Sequence, residues 1–440
     1  MITRYLLIFS IAIPGLVART VSWDTKYADV EIDQKTVYKQ DIIRCLDDES
    51  VRLSGLNFIE IPNHIVKSDA IKAISLDDNN IVKLPANVFD EVPNLQCLNL
   101  AKNNIPYERL FGFRHNKLKT LIFDDNPNRG QTMFSNFEPI RYSTPPAGTY
   151  FPNLESLSLN NVYFENFPSH FNESFPRLST LYITDNGLQF LDDNIFSILP
   201  SNLKGLHLER NNFTSLILRD AGNIEELYFD GNPLVSFEIG PGSSTIKLIS
   251  LANCTLNSRD QFQIQAPLLT TLDLSYNRLT TIPFQSIPQF LEKLSLSHNE
   301  FTSVPNLGYL QKLHSLSLSH NIIEYINDEI MQLLPESLQK LSLRGNRINS
   351  IDDMAFSTFS MLEELDLSKN KLRSLPAVWA KNLKMLRHLN LKSNFFATIA
   401  DMSISSLISL RALYIEENMV TFIDENSLQL VPKLCTVYVR

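Results

Sequence analysis

Three short phrases place reactive side chains at matching offsets: "LYITDN" (Leu181–Asn186), "LHLERN" (Leu206–Asn211) and "LYFDGN" (Leu227–Asn232). Their second residues are Tyr182, His207 and Tyr228. Their fourth are Thr184, Glu209 and Asp230, and their fifth include Asp185 and Arg210. Amphipathic rings beside charges are the side chains that dominate binding hot spots. With Ser250 a little further on, the same residues also contain the types of a hydrolytic Ser-His-Asp set. No nucleophile elbow or oxyanion donor accompanies them, and a flat wall excludes no water, so the pattern points to recognition and away from catalysis. A second recurrence, "LSLSHN" twice, puts His298 and His320 at one offset. Two imidazoles suit a pH switch, but without a third ligand they make a poor metal site. Neither a metal nor a cofactor is called for.

Composition narrows the partners. Thirty-nine Lys and Arg against 48 Asp and Glu give a formal net charge of -9, and no Lys/Arg block offers a footprint for nucleic acid. The four cysteines, Cys45, Cys97, Cys254 and Cys435, are too few and scattered for a disulfide scaffold, and no C-x-x-C occurs. "MITRYLLIFSIAIPGLVART" has an early cation, an apolar run and a small residue at Ala18, the order of a secretory leader at residues 1–18. No later stretch is long and apolar enough to insert in a membrane, so a secreted, extracellular chain is expected.

What positions the reactive residues is a repeat. "LDLSYN", "LSLSHN" and "LSLSHN" carry Asn277, Asn299 and Asn321, spaced by 22 residues. Equivalent anchors are Asn79, Asn103, Asn126, Val162, Asn186, Asn211, Asn232, Cys254, Asn346, Asn370, Asn394 and Asn418. Their spacing is 21 to 25 residues except across the gap from Asn126 to Val162. In L-x-x-L-x-L the leucines alternate with polar residues as a half-buried strand requires, for instance Leu269, Leu272 and Leu274, or Leu362, Leu365 and Leu367. An inward asparagine at the bend can donate to and accept from backbone groups that would otherwise be buried unpaired. Cys254 substitutes as a small core thiol, whereas Val162 cannot hydrogen-bond. Phe89, Phe196, Phe356 and Trp379 supply one return-limb aromatic per turn, expected to stack as a spine. The period is that of a leucine-rich repeat. The expected fold is an α/β repeat solenoid, a horseshoe of about sixteen turns with a parallel concave β-sheet and an irregular or short helical convex side.

The chain resembles the extracellular leucine-rich repeat family, with its unit LxxLxLxxNxLxxLPxxxFxxLxx, from about Asp48 to Arg440. Similar members include Toll-like receptor ectodomains, insect cell-adhesion proteins and secreted insect immune proteins. The resemblance implies a non-enzymatic binding scaffold. It departs from the family in lacking cysteine-rich caps. Residues 19–47 hold only Cys45 and read as a cap that adds an edge strand over the first turn. The solenoid fills 48–440, with a Pro-, Ser- and Thr-rich inserted loop at 127–151. An open C-terminal end would invite pairing with a second copy, and Cys435 there would suit an intermolecular bridge. Cys45 would have to reach across two turns to bridge Cys97.

On such a scaffold Ser75, Asn99, Ile122, Ser158, Tyr182, His207, Tyr228, Ser250 and Asp273 form one column of the concave wall, exposed between the leucines. Ser295 to Ser342 continue it as a smooth serine wall. Tyr182, His207 and Tyr228, with Glu209, Asp230, Asp185 and Arg210, are the candidate partner site. Sequons at Asn172, Asn212 and Asn253 are candidate glycan acceptors, Asn253 lying beside the concave wall. The expected function is recognition of a protein or glycoprotein through the concave face, in innate immunity. The alternatives are a cell-adhesion or matrix protein, or part of a receptor ectodomain.

Overall fold

The computed structural model describes residues 21–22, 45, 49–62, 65–106, 109–126, 148–162, 164, 167, 169–191, 195–258, 261–282 and 286–439. The leader at 1–18, nearly all of the 19–47 segment and most of the inserted loop at 127–151 lie outside them. The chain divides into two compact units, Lys35–Arg278 with Pro283–Leu291, and Glu292–Arg440 with Leu279–Ile282 and Met1–Gln34.

In the first unit each turn contributes one three-residue strand. Ala73–Ser75, Cys97–Asn99, Thr120–Ile122, Ser156–Ser158, Thr180–Tyr182, Gly205–His207, Glu226–Tyr228, Leu248–Ser250 and Thr271–Asp273 pair in parallel in chain order. Ser50–Arg52 precedes them, paired with Ala73–Ser75. The middle residue of each strand points inward, and Leu98, Leu121, Leu157, Leu181, Leu206 and Leu227 are fully buried. The outer two residues lie on the sheet face. In the second unit Lys293–Ser295, Ser315–Ser317, Lys340–Ser342, Glu364–Asp366, His388–Asn390, Ala412–Tyr414 and Thr436–Tyr438 repeat the pattern.

The asparagine ladder forms as expected. Nδ2 of Asn277 donates to Leu251 O (2.8 Å), Leu274 O (3.0 Å) and Ser275 O (3.1 Å), while Oδ1 accepts from the N–H of Cys254 and of Leu256, both at 3.0 Å. Each rung therefore joins its own turn to the one before. Cys254 works in this position because its thiol donates to Phe229 O (3.3 Å) and its backbone carbonyl accepts the Leu234 N–H (3.0 Å). Val162 is fully buried and brings no side-chain hydrogen-bonding group to its position in the ladder.

Several expectations change. The return limb of the first unit is not only irregular or helical, since Ser215–Leu218, Ser236–Ile239 and Gln261–Ile264 form a second parallel sheet. Short helices do occur at Phe171–Ser174 and Ile195–Ile198, and at Asp328–Met331 in the second unit. The aromatics meet edge-on instead of stacking, with Phe89–Phe113 centroids 5.4 Å apart at 73° and Phe356–Trp379 5.7 Å at 76°. Phe196 is only half-buried. Cys45 and Cys97 do form a disulfide, with Cα atoms 5.4 Å apart, and pack against Ala73 and Ile122. Cys435 is buried, so its sulfur is not presented to a second molecule. Val21–Ser22 runs parallel to Val437–Tyr438 in the second unit, while the rest of the segment expected to add an edge strand over the first turn lies, but for Cys45, outside the described residues.

Candidate functional site

The sheet face of the first unit brings the recurring residues together. Because neighbouring parallel strands are about 4.8 Å apart, rings at equal offsets must either splay or stack. They stack. Tyr182 and His207 have centroids 4.1 Å apart at 16°, and His207 and Tyr228 4.2 Å apart at 7°. The register makes this unavoidable, since Tyr182 pairs with His207 and His207 with Tyr228. The row is bounded on both sides by small residues, Ser158 next to Tyr182 and Ser250 next to Tyr228. The row therefore passes from rings to small hydroxyl residues at both ends.

Carboxylates line one edge. His207 donates from Nδ1 to Oε1 of Glu209 at 2.9 Å. Glu209 itself is 7 % exposed, and its Oε2 has no hydrogen-bond partner among the described residues. Asp230 accepts from Ser250 Oγ (2.6 Å) and from the Ala252 N–H (2.8 Å). Burial, abetted by the charges of Asp273 and Glu209, pushes its carboxyl up to about 7 despite these bonds. The Tyr228 hydroxyl donates to Glu226 Oε2 at 3.2 Å, and burial together with Glu226 and Glu209 raises its pKa further. Arg210 is committed to Asp185, with Nε at 2.9 and 3.0 Å and Nη2 at 2.7 Å from the carboxylate oxygens. That bidentate pair holds the guanidinium more firmly protonated than usual.

Leucine rich repeat models match residues 336–396 and 268–290. The chain is 27% identical to mouse podocan-like protein 1 over 268 residues, covering 54% of this chain and 41% of that one. It is 28% identical to bovine osteomodulin (53% and 51%) and 27% identical to chicken lumican (48% and 60%). It thus spans about half the length of the curated relatives it matches. Among solved structures it is similar in fold to a chain of the Drosophila Toll–Spatzle complex, with TM-score 0.63, 22% identity, and coverage of 83% of this chain and 50% of that one. The mouse RP105/MD-1 complex gives TM-score 0.60 at 22% identity, with coverage of 84% and 67%.

The chain carries leucine-rich repeats.

No helix among the described residues is long and apolar enough to cross a membrane. Other sites named from this leucine-rich repeat sequence fare differently. His298 and His320 stack at 4.3 Å and 10°, and burial plus the charges of His298, Arg344 and Lys369 hold His320 down to about 4. No group of three or more metal-ligating side chains occurs among the described residues. The serine wall is a chain of hydroxyls, Ser297–Ser317 and Ser319–Ser342 each at 2.6 Å, joined by Ser317–Ser319 at 3.1 Å. Asn212 and Asn253 are exposed and Asn172 half-buried.

The column read as exposed is largely not. Ser158, Ser250 and Asp273 are at most 2 % exposed, because small side chains on adjacent strands are covered by their neighbours. The rings stand above them, which isolates the stack as the relief on an otherwise flat floor. Glu226 and Asp273 belong to the site but were not among its expected members. Glu226 occupies the first strand position, two residues before Tyr228, a spacing that puts both on one face.

Proposed function

We propose that this is a secreted protein that binds another extracellular protein or glycoprotein through the sheet face of its first unit, centred on Tyr182, His207 and Tyr228. The observation that carries the reading is the ring stack itself. Three parallel aromatic rings flanked by buried serines form a rigid amphipathic relief, with little side-chain entropy left to lose on contact. The surrounding charges, Glu209, Asp230 and the Asp185–Arg210 pair, supply the polar rim. A leader at 1–18 would direct export, and glycans on Asn172, Asn212 and Asn253 would then be added.

Two contexts follow from the similarities. The Toll–Spatzle and RP105/MD-1 chains were solved in protein complexes, which favours a ligand-binding role in innate immunity. The likeness to podocan-like protein 1, osteomodulin and lumican favours a matrix role instead. Affinity capture tests the shared reading. The intact protein and its Tyr182→Ala/His207→Ala/Tyr228→Ala variant are exposed to extracellular fluid and to extracted matrix. Partners held by the wild type and lost by the folded variant are expected, and the fraction that yields them separates the two contexts. Equal capture by both proteins would move the function off this face.

A further inference from the structure

We infer that the acidic edge of the ring stack is a receptor for guanidinium, so that the partner presents an arginine side chain to Tyr228, Glu209 and Asp230. This rests on the sheet-face reading and names the chemistry it recognises. Three observations converge on one spot. The first is the open face of Tyr228. Its neighbour in the row is Ser250, whose small side chain places no ring against that side of Tyr228. Cations attract ring faces, and the guanidinium plane can stack as well as interact by charge.

The second is unmet hydrogen-bonding capacity. Glu209 is more than nine-tenths buried, yet its Oε2 has no partner among the described residues. Its other oxygen holds His207 at 2.9 Å, which anchors the carboxylate beside the stack. A buried carboxylate oxygen without a donor is costly unless a ligand supplies one.

The third is the local charge balance. Glu209 and Asp273 both act on Asp230, and Glu226 and Glu209 both act on Tyr228. Arg210, which feels the charges of Glu209 and Asp230, has its hydrogen-bonding edge turned to Asp185 and Thr184. A carboxylate cluster of this kind asks for an external cation. The described residues include no metal-ligating group of three, so an organic cation fits better than a metal ion. Arginine fits better than lysine, because its fork can reach two carboxylates while its plane lies on Tyr228.

The test uses the full chain and an oligoarginine peptide, with an oligocitrulline peptide of equal length as the uncharged isostere. Binding is followed by fluorescence anisotropy at physiological ionic strength. The arginine peptide is expected to bind at least about tenfold more tightly than the citrulline peptide. Tyr228→Leu and Glu209→Gln are each expected to weaken it by about tenfold, the size of one charge-assisted contact. Thermal unfolding verifies that both variants remain folded. Equal affinity of the arginine peptide for the wild type and both variants would overturn the proposal, since net acidity alone would then explain the attraction. Competition separates this proposal from the reading it rests on. A captured partner that needs the rings but is not displaced by oligoarginine would refute the guanidinium receptor and leave the sheet-face site standing. Arginine binding that depends on Glu209, with no ring-dependent partner captured, would do the reverse.

Discussion

Asn277→Ala lowers the unfolding free energy by about 4 kcal/mol, the size expected when two buried N–H groups lose their acceptors and water cannot replace them. The wild-type amide satisfies the N–H groups of Cys254 and Leu256 and donates to three carbonyls on two turns, all in the buried interior. Alanine removes all five bonds and leaves a space where the amide was. Asn277→Cys is expected to lose less, because the thiol can still donate to a carbonyl, as Cys254 does to Phe229. Chemical denaturation of the three proteins measures the difference. A loss below about 1 kcal/mol for alanine would show that the ladder is decorative and that leucine packing alone sets stability.

The second large effect is on pH. An ordinary aspartate titrates near 3.8, whereas Asp230 in the folded protein titrates near 7. Below about pH 4 the residue is protonated in both states and contributes no penalty. As pH rises from about 4 to about 7 the unfolded chain ionises first, so the native state loses ground by an amount that levels off above about 7. Acidification should therefore stabilise the protein through this group, the reverse of the usual salt-bridged carboxylate. Asp230→Asn keeps an amide oxygen for Ser250 Oγ and the Ala252 N–H but has no charge to bury. Its stability relative to wild type is expected to increase by about 2–4 kcal/mol between pH 5 and pH 8. Denaturation curves at the two pH values supply the number, and a constant difference would place the Asp230 carboxyl in ordinary solvent.

Much of this was legible beforehand, for identifiable reasons. The ladder asparagines recur at a nearly constant spacing, so their inward position and their bonds follow from the period. Tyr182, His207 and Tyr228 share one offset, and parallel pairing at a fixed strand spacing leaves them little choice but to stack. Burial of the column was less legible. Ser250 and Asp273 are polar, and only the closeness of neighbouring strands covers them. Pairing of Asp230 with Ser250 crosses between turns at different offsets, which a column-by-column reading does not see. The second sheet leaves only a partial signal: "SFEI" alternates polar and apolar residues as a strand does, whereas "SLIL" puts the apolar Ile217 at an exposed position. The Cys45–Cys97 bridge depends on how the chain before the first turn folds back, and no periodicity speaks to that.

One repeated backbone detail reaches beyond this molecule's own partner. Just before each ladder position sits a residue in the left-handed region, among them Asp185 (φ 58°), Arg210 (φ 52°), His298 (φ 54°), His320 (φ 54°) and Lys369 (φ 53°). Their side chains meet across successive turns, as the Asp185–Arg210 fork and the His298–His320 stack demonstrate. The turn fixes the backbone there, while the apolar interior does not dictate the side chain. Aspartate, arginine, histidine, lysine and tyrosine all occupy the position, so the fold tolerates the left-handed strain, of order 1 kcal/mol for a non-glycine residue, whatever the side chain carries. That column is a programmable edge. A designer could rewrite its charges and rings one turn at a time, and thereby retarget the scaffold, while leaving the ladder and the leucines untouched.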